Sequence, residues 1–142
     1  MVSVHDTAAY ILDKLGQMTA MKLQKLLYYS QAWSLVWEDQ PLFKARIEAW
    51  ANGPVVPKVY ARHRGAFNVS EWEGSSDALN PIERENVDLV LDYYGKKSSF
   101  ELSQLTHAER PWIEARKGLA PGSRGNQEIT LASMAEYYGS LV

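Results

Sequence analysis

Leu23, Leu26, Leu27, Ser30, Trp33, Ser34 and Trp37 recur at i, i+3, i+4 and i+7 spacing, most of them inside the run Lys22-Leu23-Gln24-Lys25-Leu26-Leu27-Tyr28-Tyr29-Ser30-Gln31-Ala32-Trp33. That period predicts a long helix with one large, mostly apolar stripe turned to a core and with Lys22 and Lys25 on its exposed side. Thr19 supplies an N-cap. Glu38-Asp39-Gln40-Pro41 ends the helix near Trp37, because the residue before a proline is pushed out of the helical region.

The punctuation elsewhere predicts further helices. Asp6 or Thr7 caps a first helix that runs to Leu15, and Gly16 stands where a left-handed C-terminal cap is wanted. Phe43, Ala45, Ile47 and Ala49 alternate with Lys44, Arg46, Glu48 and Trp50, which predicts a half-buried extended arm. Gly53-Pro54 marks a turn. Pro57 suits the first turn of a short helix to about Arg64, stopped by Gly65. Residues 66–79 are polar and turn-prone and predict one long surface loop carrying Trp72. Asn80-Pro81-Ile82-Glu83 and Ser98-Ser99-Phe100-Glu101 have capping-box spacing and open helices to Tyr94 and to about His107. Pro111 starts another helix, a glycine-rich loop follows, and Thr130 caps a last helix from Leu131 to about Leu141.

A chain of 142 residues with 46% hydrophobic residues has enough apolar surface for one core, so residues 1–142 are expected to form a single domain. No internal repeat or linker divides it. Fifteen Lys and Arg against seventeen Asp and Glu leave a net charge of −2, too near balance to hold the protein on nucleic acid by its field alone. Zero cysteines exclude disulfides, thiolate zinc sites and thiol catalysis, which suits a reducing compartment. No uncharged stretch approaches the roughly 20 residues that a membrane span needs. The expected location is the cytoplasm, away from any membrane.

Three ordered motifs carry a resemblance. Lys22-Leu23-Gln24-Lys25 with Tyr28 and Trp33 is followed by Ile47-Glu48-Ala49-Trp50, which runs into Gly53-Pro54-Val55-Val56-Pro57 and Val59-Tyr60. Leu102-Ser103 then precedes Thr106-His107 and Pro111-Trp112. Together they resemble the Panacea domain, the family of SocA-like and GepA-like phage-associated proteins, over roughly Thr7 to Tyr138. The resemblance implies an antitoxin that neutralises a protein toxin encoded by an adjacent gene. SocA-like relatives add a variant in which the antitoxin is also an adaptor to a protease. The resemblance implies no catalytic constellation, and its motif residues, Lys22 to Trp112, are read as mainly structural.

The residues themselves carry no signature of catalysis or cofactor binding. His5, His63 and His107 lie far apart in sequence and none has metal-ligand spacing, so no metal and no cofactor is expected. His107 is placed at a helix C-terminus, where an imidazole can bond the last free carbonyls. A nucleophilic site built from Ser103 and His107 lacks any oxyanion-hole signature, and no glycine pattern cradles phosphate. The chain is therefore read as a non-enzyme. Lys58, Arg62, His63 and Arg64 form the one basic cluster, a solvated helix end that can also steer an acidic partner.

Trp33, Trp37, Trp50 and Trp112 are assigned to one core group, whereas Trp72 lies between Glu71 and Glu73 and is either a loop anchor or an interface residue. Gly53 to Pro57 is a rigid elbow. Its two valines join the candidate partner-binding set, which is Arg62, Arg64, Trp72, Lys58, Val55 and Val56. The expected protein is a mainly α-helical compact bundle of six or seven helices with a short extended or β-like arm. Its expected role is that of an antitoxin acting by protein–protein binding; a small DNA-binding regulator of phage or mobile-element origin is the alternative.

Overall fold

A computed structural model describes all of residues 1–142. Seven helices are joined by two small antiparallel pairs of strands. The order is α1 Val4–Leu15, β1 Met18–Thr19, α2 Ala20–Glu38, β2 Glu48–Trp50, β3 Gly53–Val55, α3 Pro57–His63, β4 Asn68–Val69, a 3-10 turn Ser76–Ala78, α4 Pro81–Tyr94, α5 Ser99–His107, α6 Arg110–Ala115 and α7 Leu131–Gly139. The mainly helical class and the short arm both follow the sequence.

Local chemistry explains most boundaries. Thr19 accepts from Lys22 N at the start of α2, and Asn80–Glu83 and Ser98–Glu101 each form a complete reciprocal capping box. Thr130 caps α7 as expected. The first helix begins earlier than the sequence suggested, because Ser3 accepts from His5 N and makes Asp6 a first-turn carboxylate instead of the cap. Gly16 follows α1 with φ 77° and ψ −161°, a conformation open to glycine but outside the left-handed helical basin of the expected cap.

The expected stripe on α2 is wrong in extent. Leu23 through Ala32 are all buried, Gln24 and Lys25 included, because α1, α4, α5, α7 and β3 surround the helix on every side. A segment enclosed all round, as Leu23 to Ala32 is, has no solvent face, whatever its polar residues suggest. Trp37, placed in the stripe, is 40% exposed. Lys22 is half-buried and its ammonium donates to Gly95 O at 2.6 Å.

The arm alternates as the sequence predicts, with Phe43, Ile47 and Ala49 buried and Lys44 and Arg46 exposed. β2 pairs with β3 in the register Glu48–Val55, Ala49–Pro54 and Trp50–Gly53. Residues 127–129 add to its other edge through Ala49 N to Gln127 O and Ile129 N to Ile47 O, both 2.8 Å. Residues 66–79 are more ordered than the expected loop. Their β4 strand pairs with β1, and Ser75 N donates to Asp6 Oδ1 at 2.8 Å.

Two buried glutamines tie α2 to these extended segments. Gln24 accepts from Val56 N at 2.8 Å and donates to Val56 O at 3.3 Å. Gln31 accepts from Leu42 N and Phe43 N and donates to Phe43 O at 2.7 Å. Each amide thus completes backbone pairing that a neighbouring strand would otherwise supply.

Candidate functional site

α2, the β2–β3 turn and the end of α5 bring Lys25, Gly53, Thr106 and His107 to one place. Gly53 has φ 123°, a conformation that favours glycine, and a Cβ there would lie 2.6 Å from Lys25 Cε and 3.2 Å from both Lys25 Nζ and Thr106 Oγ1. Only a bare backbone fits. Lys25 is 1% exposed and its Nζ has no hydrogen-bond partner, nor has the buried Nε2 of His107. Burial lowers the Lys25 pKa to about 8. Burial also lowers that of His107, with the positive charges of Lys25 and Arg116 acting in the same direction.

His107 is the last residue of α5, yet it does not cap the helix as expected. Its ring stacks on Trp112 with centroids 4.0 Å apart, while Ala108 N serves the carbonyls of Leu105 and Thr106. Ser103 does not meet His107 either, since its hydroxyl donates to Asn52 O at 2.7 Å. No three His or carboxylate side chains group closely enough to hold a metal ion.

The four motif tryptophans do not form one cluster. Trp33 stacks on Trp37 and donates to Tyr94 OH, whereas Trp50 packs edge-on against Tyr60 and Trp112 donates to Trp50 O at 2.9 Å. Around Trp112, the buried Arg116 donates to Ala49 O at 2.9 Å and Ser123 O at 2.6 Å, binding the hairpin to the glycine-rich loop. Glu109 is a second centre that sequence reasoning missed. It accepts from Tyr29 OH and Tyr138 OH, both at 2.7 Å, and Tyr138 OH also meets Tyr28 OH at 3.0 Å. Burial raises the Glu109 pKa, and the two tyrosine hydrogen bonds oppose that shift. Its position just before Arg110-Pro111, at the start of α6, was the available signal.

Lys58, Arg62 and Arg64 are exposed on α3 and at its end, as the sequence suggested. Trp72 is half-buried and anchors its loop: its indole donates to His5 Nδ1 at 3.2 Å, and Arg62 lies 5.6 Å over the ring while donating to Glu73 O. Val55 and Val56 are wholly buried, so the elbow shows a partner no valine surface. Pro54 is buried with them and Tyr60 is half-buried.

Fold and site define a small helical domain whose motif residues are mostly buried or half-buried and whose α3 cations Lys58, Arg62 and Arg64 lie outside. The chain belongs to the antitoxin SocA-like, Panacea domain family, whose model matches residues 23–113. It is also similar to Antitoxin SocA of Caulobacter vibrioides (strain NA1000 / CB15N), 29% identical over an alignment of 140 positions that spans 86% of this chain and 73% of that protein. No solved structure matches the chain.

Proposed function

We propose that this protein is an antitoxin that neutralises a cognate protein toxin by direct, non-covalent binding in the cytoplasm, the toxin being encoded by an adjacent gene. Membership of the antitoxin SocA-like family carries the reading. The site supports it: Lys25, Gly53, Thr106 and His107 interlock as packing, and Ser103 is committed to a backbone carbonyl instead of a base. Such a domain acts through its surface. The proposed partner-facing surface is the basic face of α3, with Lys58, Arg62 and Arg64, continued by the loop that Trp72 anchors. Complementary charge there speeds capture and fixes register.

Co-expression tests this directly. The adjacent gene product arrests growth alone, and this chain restores growth when the two are expressed together. A neighbour that is harmless alone, or toxic in both conditions, removes the antitoxin reading. Rescue that requires a host protease separates the adaptor variant from simple occlusion.

A further inference from the structure

Met21, the β2–β3 turn, α3 and the glycine-rich loop enclose a cleft of about 710 Å³. Its rim carries Arg64 and Arg124, its walls include Trp50 and Tyr60, and Asn52 and Asn126 add amides. No carboxylate lines it. Neither arginine joins an ion pair; of the nearby carboxylates, Glu128 pairs with Arg46 at 3.3 Å, and Glu48 pairs with Arg46 at 2.9 Å and accepts from the Trp50 indole at 2.9 Å. Two further cations stand behind the lining. Lys25, buried and without a partner, lies against Gly53, the residue after Asn52. The Arg116 Nη1 would be 2.9 Å from a Cβ on Gly125, another lining residue.

The exposed Arg64 and Arg124, with no lining carboxylate and with Arg116 behind Gly125, give the mouth of the cleft a positive potential. Guanidinium forks match carboxylates in bidentate geometry, and the aromatic walls suit the apolar side chains that flank acidic residues in a peptide. The volume exceeds what a single small anion fills. We infer that this cleft binds an acidic segment of the partner protein, with Arg64 and Arg124 clamping Asp or Glu carboxylates beside the packed pair of Trp50 and Tyr60. The identity of the occupant rests on the antitoxin reading.

The test uses the full chain and NMR titration with a blocked octapeptide, Glu-Asp-Leu-Glu-Asp-Leu-Glu-Asp. The Trp50 indole and the Asn52 and Asn126 side-chain amides should shift saturably. Arg64→Ala with Arg124→Ala should weaken that binding about tenfold. Equal shifts from the Gln/Asn version of the peptide, shifts confined to the Lys58 and Arg62 side, or silence at all three probes would overturn the inference. So would inorganic phosphate saturating the same signals at lower concentration than the peptide.

In the growth assay, Arg64→Glu with Arg124→Glu should abolish rescue at unchanged melting temperature, while Lys96→Glu with Lys97→Glu retains it. Rescue kept by the first pair counts against the cleft alone. Absence of rescue by the unaltered chain counts against the antitoxin reading, and the peptide titration still decides the cleft.

Discussion

Gln24 Nε2 donates to His63 Nε2 at 2.9 Å, which joins α2 to the end of α3 and sets the protonation of the imidazole. Because Gln24 Oε1 already accepts from Val56 N, the amide cannot turn, and the facing ring nitrogen must be the unprotonated one. His63 is therefore held neutral. Burial lowers its pKa from the ordinary 6.5, a backbone hydrogen bond partly offsets this, and the charge of Lys25 lowers it further.

Acid should consequently loosen the domain. A histidine with a lowered folded pKa binds more protons when unfolded, so its contribution is complete above 6.5 and is lost as pH falls from there toward the folded value. His5 and His107 are lowered as well and act in the same window. Denaturant midpoints measured from pH 7.5 to 5 should decline below 6.5, and His63→Leu should flatten the decline while lowering stability at pH 7.5. An unaltered slope in that variant would show that His63 accepts its proton freely.

Gln24→Ala should destabilise the domain by about 2–4 kcal/mol, because it strands the buried Val56 N–H and carbonyl together with the His63 nitrogen. Gln31→Ala should act similarly through Leu42 and Phe43. Urea unfolding measures both. A loss no larger than that of an exposed control such as Gln104→Ala would mean that water replaces these bonds without penalty.

Lys25→Met should stabilise the protein at neutral pH. The ammonium has no partner, and its fall from 10.5 to about 8 corresponds to a penalty of about 3 kcal/mol for keeping it charged in the fold. That penalty is full below pH 8 and disappears as pH rises toward 10.5. The difference in melting temperature between the two proteins should therefore shrink from pH 7 to pH 10. A constant difference would assign the effect to packing alone.

Legibility in the sequence followed distance along the chain. The capping boxes at Asn80 and Ser98 and the alternation of Phe43 to Ala49 are local, and each produced the element it predicts. The burial of Lys25 is not local. It arises because Gly53 and Thr106, 28 and 81 positions away, close over a residue that helical periodicity alone turns outward. The anchoring of Trp72 by His5 and the pairing of Tyr29 with Glu109 were hidden for the same reason. Of the motif residues, Gly53, Thr106 and His107 meet around Lys25, a convergence that no sequence spacing announces.

Trp72→Ala should lower stability by about 1–2 kcal/mol, since the indole carries a hydrogen bond, a cation–π contact and packing against the core. Calorimetry with a partner-binding assay separates this from an interface role. A variant with full stability and a faster dissociation rate would restore Trp72 as a direct contact.

If neutralisation is a binding event, titration calorimetry of the purified chain into the purified product of the adjacent gene tests it most directly. The expected result is a saturable complex of fixed stoichiometry whose formation removes the toxin's activity in the same tube, weakened by charge reversal at Arg62 and Arg64. Growth rescue in cells without any measurable complex between the two purified proteins would contradict the account.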